Sequence, residues 1–406
     1  MSNSKLKIAV IGVGAQKGSR ARQYLGTISR LKDKYELSAI CDTDANALAE
    51  AAEEFGAHST FSDIESLFDA GVPDVVLSMT PKDSHIVIAL TAARRGAHVI
   101  TEIPVGLTRR YARAVADTCR DNGVLWEVAE QVWLWPQELV KKKAIEAGLI
   151  GDLTHSRLSY LTGQYHGFNA IRSLLASDAV RVLGYCGEVK AEPYVAYGGE
   201  NESTVMWDQA VVEFGNGVVC LFEKPPRVFP YGNQDYPVGW QVEGTRGHWD
   251  RNRLVLYGGD SRAEFEIREV YSKRGDQRVL EQVCVDTDPP MVWENPYASY
   301  GILTADDASK ASILLSFHDA IVDGKEPQYG HENAVRDWEI CLAVRESARL
   351  GTVWIDLPLT GPTELEQRVE GEFVRRYGYD PIENTEKLLG ASFGRSATLW
   401  PFAHWL

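Results

Sequence analysis

The first third of the chain alternates short apolar, β-branched runs with stretches whose apolar positions recur at helical spacing. Lys7–Gly12 (KIAVIG), Glu36–Cys41 (ELSAIC), Asp74–Ser78 (DVVLS), His98–Thr101 and Val124–Val128 read as strands of a buried parallel sheet. Arg20–Leu31, Ala45–Phe55, Asp63–Phe68, Ser84–Arg95 and Arg109–Asn122 read as the helices between them. Strands alternating with helices predict βαβ units and right-handed crossovers. After about Gly151 the rhythm changes. Leu153–Leu161, Val205–Phe214, Gly217–Phe222, Gly239–Gly244, Arg253–Tyr257 and Ala263–Arg268 predict strands joined by turns. Phe214-Gly215-Asn216-Gly217 is a hairpin signal. Helices are predicted at Ala170–Leu183, Ala308–Val322 and Val335–Leu350, the last of them amphipathic. The fold class expected is α/β. A parallel-sheet domain spans residues 1–128, and an α+β domain with a mainly antiparallel sheet spans 129–358. A tail over 359–406 is expected to pack back on the body.

Composition narrows the partners. A chain of 406 residues accommodates two domains. Its net charge of −15 argues against nucleic acid and anionic membranes, which select basic surfaces. A few local arginines would still let a pocket take an anionic small molecule. The six cysteines are scattered without metal or redox spacing, as expected of reduced thiols in a cytoplasmic protein. The first residues pass almost directly into a strand, without the apolar core of a signal peptide, and no apolar run is long enough to span a bilayer. Neither the histidines nor the cysteines show zinc spacing.

The chemistry begins at Gly12-Val13-Gly14-Ala15-Gln16-Lys17-Gly18, between the first strand and the first helix. Gly12 permits a tight turn, Gly14 lets the backbone approach a pyrophosphate, and the helix N-terminus stabilises that charge. This predicts a Rossmann dinucleotide-binding domain, with Gly18 completing the glycine set. Asp42 ends the second strand, where a carboxylate can accept both ribose hydroxyls and repel a 2′-phosphate. No arginine follows it, so NAD is favoured over NADP. The alternative is a surface aspartate beside an ordinary glycine turn. Thr80 and Pro81 follow the third strand at the carboxyl edge, where ligands bind. His85 lies just beyond, near the cofactor cleft or as a partner at a helix start.

The stretches IGVGAQKGSR, ICDTDANALAE, TPKDSH, GAHVITEIP, LVKKKAIEAGLIGDL and ENAVRDWEICLAVRESARLG resemble, in order and spacing, the Gfo/Idh/MocA superfamily. The resemblance implies a second sheet that is open-faced, covering the nicotinamide, and a homo-dimer or homo-tetramer. It also exposes departures. Dehydrogenases of this group read Glu-Lys-Pro where this chain has Glu102-Ile103-Pro104, and Ile103 cannot carry a proton. Their Gly-x-His-x-x-Asp signature corresponds here to Gly167-Phe168-Asn169-Ala170-Ile171-Arg172. The NAD-dependent glycoside hydrolase branch is similar in three features: an aliphatic residue in the Glu-x-Pro slot, His166-Gly167, and Pro226-Arg227-Val228-Phe229 leading to Gly244-Thr245-Arg246-Gly247. That likeness implies a redox-neutral glycosidase, with transient oxidation at C3, elimination of the aglycone, water addition and re-reduction.

Position then nominates the site. His166 is the expected acid/base, since imidazole titrates near neutrality, with a hydrogen-bonded loop histidine as the alternative. Tyr165 is its weaker neighbour. Glu102 is a candidate to position the nicotinamide ribose or the sugar, or else caps nearby backbone. Gln131 is a candidate to bond the carboxamide or the sugar. Trp133 or Trp135 is a candidate wall for a pyranose face, or else core. Arg172, with Asn169, Arg227 and Arg246, suggests an anionic glycoside such as a sulfoquinovoside or uronide, unless Arg172 is a solvated helix arginine. Two rival expectations stand: an NAD-dependent sugar or cyclitol dehydrogenase, and a catalytically silent sugar sensor that retains the NAD fold.

Overall fold

The computed structural model describes residues 5–160, 164–195, 201–225 and 238–394. Six strands, β1 (Leu6–Ile11), β2 (Tyr35–Cys41), β3 (Ser59–Phe61), β4 (Val75–Ser78), β5 (His98–Thr101) and β6 (Trp126–Val128), form a wholly parallel sheet. Its order is β3-β2-β1-β4-β5-β6. The connecting helices are α1 (Arg20–Arg30), α2 (Ala45–Phe55), α3 (Ile64–Ala70), α4 (His85–Arg94) and α5 (Arg109–Asp121). Strand order reverses between β1 and β4, which opens the crevice where such sheets bind ligands.

Beyond β6 come α6 (Pro136–Glu146), β7 (Leu153–Ser159), α7 (Gln164–Leu175), β8 (Ala179–Val195), β9 (Asn201–Phe214) and β10 (Val219–Lys224). The strands β11 (Gly239–Gly244), β12 (Gly247–Asp250), β13 (Arg253–Gly258) and β14 (Ser261–Glu266) follow. Then come β15 (Arg268–Arg274), β16 (Gln277–Val285), β17 (Met291–Glu294), α8 (Ala305–Asp323), α9 (Gly330–Arg349), β18 (Trp354–Asp356) and α10 (Glu364–Tyr377). Nine of these strands make one sheet, β14-β13-β12-β11-β7-β10-β9-β8-β18, in which only β7 and β10 pair in parallel. The remaining three form a small antiparallel sheet, β15-β16-β17. The large sheet obeys the period-two rule: Val212, Cys220, Phe222 and Val242 are buried beneath α7 and α9, while Tyr185 and Leu221 stay exposed on the open face. No helix among the described residues is long and apolar enough to cross a membrane.

Two expectations need correction. The helix predicted at Ala170–Leu183 starts earlier and stops at Leu175, because Ala176 takes a left-handed conformation (φ 46°) and Ala179 opens β8. The strand predicted at Ala263–Arg268 is split between β14 and β15. The parallel sheet also borrows from the second half of the chain. Ala308, Leu314 and Phe317 of α8 share a core cluster with Leu25, Ile28 and Tyr35, and the Tyr35 hydroxyl donates to Leu314 O (2.6 Å). At the carboxyl end of the described chain, α10 begins with a capping box between Thr363 and Glu366. Arg109 fastens it, reaching Glu366 (2.7 Å), Glu339 (3.3 Å) and Leu359 O (2.9 Å).

Candidate functional site

The glycine turn is built as a cradle. Gly12 (φ 85°) and Gly14 (φ 72°) are left-handed, and a Cβ on Gly12 would meet the Met79 backbone at 2.9 Å. A Cβ on Gly14 would collide with Ser19 Oγ, whereas Gly18 faces open space. Ser19 caps α1, and buried Arg22 ties the turn to α2 through Gly14 O (3.2 Å) and Ala47 O (3.0 Å). Asp42 Oδ2 accepts from Val13 N (2.7 Å) and Oδ1 from Asp44 N (3.0 Å). The carboxylate therefore braces the turn. It is only half-buried and keeps lone pairs for ribose hydroxyls.

Thr80 and Pro81 stand half-buried at the next strand end. His85 lies beneath them, 3% exposed, with Nε2 2.9 Å from Thr80 O. Burial pushes its pKa down to about 4, against the pull of that carbonyl, so the ring is a neutral strut under the cleft. Glu102, at the end of β5, receives Arg20 Nε (3.2 Å) on one oxygen and the Ile103 amide (2.5 Å) on the other. Burial raises its pKa; Arg20, the amide and His166 oppose that rise, and Glu130 adds to it.

His166 sits on the first turn of α7 with its side chain 22% exposed. Its Nδ1 is 2.7 Å from Glu130 Oε2, a close approach that does not meet hydrogen-bond geometry. The Tyr165 ring packs 4.6 Å from His166 and 5.7 Å from Trp338, and burial holds its hydroxyl protonated, far above the tyrosine range. Tyr160, 6.1 Å away, is pushed up to about 12 by burial.

A second network closes the cleft from α8. Asp306 accepts from Gln131 Nε2 (3.3 Å), Trp135 Nε1 (3.3 Å), Arg20 (3.5 Å) and buried Lys310 (2.5 Å). Gln131 Oε1 is buried with no hydrogen-bond partner among the described residues, an acceptor that a carboxamide N–H would satisfy. Cradle, ribose acceptor and orphaned amide oxygen together fit a nicotinamide dinucleotide. Glu130, Arg20, Asp306 and Lys310 were not nominated from sequence. Glu130 carried a signal, adjoining Gln131 at a strand end, but Asp306 lies 175 positions from Gln131 and carried none.

Among the described residues, the expected anion site does not come together. Arg172 donates to Asp337 (2.6 Å), Asp178 (2.5 Å), Asn333 O (3.2 Å) and Asn333 Oδ1 (3.1 Å), so two carboxylates neutralise it. Asn169 is consumed structurally as well, accepting from Trp133 N (3.0 Å) and donating to Asp337 (3.0 Å). Trp133 lies against Tyr329 in the wall of a cavity of about 280 Å³ beside Arg172, and it is Trp135 that joins the cleft network. Exposed Arg246 bonds Gly148 O at the far end of β11 from Trp240, the residue whose ring stacks on Tyr160. Arg227 falls outside the described residues.

This geometry defines a class, an NAD-binding Rossmann oxidoreductase with a sheet domain supplying its second wall. A family model described as "Oxidoreductase family, NAD-binding Rossmann fold" matches residues 6–130. Levoglucosan dehydrogenase of Pseudarthrobacter phenanthrenivorans is 34% identical over 371 residues, 79% of this chain and 89% of that protein. A glycosyl hydrolase family 109 protein of Shewanella pealeana is 27% identical over 168 residues, 38% of this chain and 35% of its own. A solved levoglucosan dehydrogenase in complex with NADH and levoglucosan superposes with a TM-score of 0.64 at 20% identity, covering 87% of this chain and 100% of that one. The chain belongs to the Gfo/Idh/MocA oxidoreductase family, and its cofactor is NAD.

Proposed function

We propose that this protein is an NAD-dependent enzyme that oxidises a carbinol carbon of a sugar or glycoside, with His166 accepting the hydroxyl proton. The observation that carries this reading is the placement of His166. It is a partly exposed imidazole among the carboxylates that follow β5 and β6, in a site where Ile103 offers no proton carrier. NAD, when bound, supplies a two-electron hydride acceptor. Asp42 is the residue for its ribose, the α1 N-terminus for its pyrophosphate and Gln131 for its carboxamide. As the carbinol C–H bond breaks, His166 takes the O–H proton and a carbonyl forms. Replacing His166 by Asn should lower turnover by about 10²–10⁴-fold while leaving NAD affinity within about twofold. Unchanged turnover would refute the assignment.

A second reading, the redox-neutral glycosidase, is favoured by Ile103 and by the number of ionisable groups beside His166. After oxidation at C3 it needs a base at C2 and an acid at the leaving oxygen. Tyr160 and Glu102 are candidates for these extra roles. A panel of glycosides monitored together for NADH and for released sugar separates the two. Stoichiometric NADH supports the dehydrogenase, and sugar release without NADH supports the glycosidase. The assembly we propose is a homo-dimer or homo-tetramer. Supporting it is the open face of the large sheet, with its groove of about 620 Å³ and exposed Tyr185 and Leu221, and light scattering tests it.

A further inference from the structure

We infer that Glu130 and His166 act as one proton-handling dyad, in which the buried carboxylate engages Nδ1 and leaves Nε2 as the nitrogen that exchanges protons with substrate. The inference rests on the function proposed above and assigns its positioning residue. Glu130 is 1% exposed and lies two residues past the end of β6. Its Oε1 is fixed by the Val132 amide (3.0 Å), which aims the other oxygen. Glu130 Oε2 and His166 Nδ1 are both buried, neither has another hydrogen-bond partner among the described residues, and they stand 2.7 Å apart. Two orphaned polar atoms at that distance satisfy each other after a small turn of the ring, and leaving both unmade would be costly. An N–H held at Nδ1 fixes the tautomer and makes Nε2 the acceptor, while the carboxylate stabilises the imidazolium formed when the proton arrives. The chain thereby handles protons without a lysine in the Glu-x-Pro slot.

The charged and titratable groups around this imidazole come from five elements. Glu130 follows β6; Glu102 follows β5, with Arg20 of α1 on its far side; Tyr160 follows β7; and Tyr165 lies on α7. In the full-length Glu130→Gln variant we expect kcat to fall about 10–100-fold, with KM and NAD affinity within about twofold. Removing the negative charge favours the neutral ring, so the acidic limb of the kcat/KM profile should move down by about one pH unit. In a His166→Ala background the same change should have no further effect. A turnover and profile unmoved by Glu130→Gln, or an equal loss in both backgrounds, would overturn the dyad.

A readout independent of turnover is ¹⁵N NMR of the histidine-labelled wild type. A proton resident on Nδ1 of His166, released to either nitrogen in Glu130→Gln, supports the pairing even if no sugar is oxidised. That outcome would sink the functional reading alone. A wild-type His166 protonated only on Nε2 refutes the dyad, and this measurement also decides the matter if the variant does not fold.

Discussion

Glu127, on β6 three residues before Glu130, is wholly buried. Its Oε1 accepts from the amides of Val128 (2.8 Å) and Gly330 (2.9 Å), while Oε2 has no hydrogen-bond partner among the described residues. Burial pushes its pKa up from 4.5 to about 7, and the amides only partly oppose this. The folded protein therefore keeps a proton that the unfolded chain has lost. Stability should decline as pH rises from about 4.5 to about 7, then level off. Glu127→Gln should gain about 2–3 kcal/mol at pH 8 and nothing at pH 4, read from urea unfolding at both. His85 has the opposite slope. Its folded pKa of about 4 lies below the ordinary 6.5, so stability is lost as pH falls across that window. At Gly14 the obstacle is steric. Gly14→Ala meets both a left-handed backbone and Ser19, and should cost about 1–2 kcal/mol and weaken NAD binding about tenfold, measured by calorimetric titration.

Among the elements, α5 is tied to α10 by Arg109, by the Arg110–Glu370 pair (3.3 Å) and by the Tyr111–Phe373 ring contact (5.8 Å), and Arg109 is the more buried of the two cations. Arg109 is 15% exposed at its side chain, against 3% for Glu366 and 9% for Glu339. Arg109→Ala strands two buried carboxylates and should destabilise by about 3–5 kcal/mol in chemical denaturation, with little relief from salt. Burial alone would raise Glu366, but its bonds to Arg109 and Thr363 hold it lowered, so this contribution is lost as pH falls through the carboxylate range. The βαβ elements were legible in sequence because buried parallel strands are continuously apolar and their helices carry capping residues, as at Asp44 and Thr108. The α7–β8 junction was not. Its break falls at Ala176, without glycine or proline, and the apolar residues on either side read as one helix. The site divides the same way. Gly12, Gly14, Asp42, Glu102 and His166 sit at strand or helix ends that local pattern reveals. Arg172 looked like an anion receptor because Asp178 and Asp337, which neutralise it, become its neighbours only through tertiary packing.

For the whole molecule, the cleft joins groups from β5, β6, α1, α7 and α8, so NAD should report on the entire body. Saturation at 100 times Kd should add about 2.7 kcal/mol to unfolding, seen as a rise in Tm. A fragment of residues 1–128 should neither bind NAD nor give a cooperative melt, because α8 completes the face that carries Tyr35 and Leu25. Circular dichroism and an NAD titration test this, and a well-folded, NAD-binding fragment would contradict it. The same dependence acts during synthesis. At typical translation rates the ribosome needs roughly 10–35 s to travel from residue 128 to the start of α8. Throughout that interval the nascent nucleotide domain shows a bare apolar flank to solvent, an invitation to chaperones that ends only when Phe317 emerges and docks.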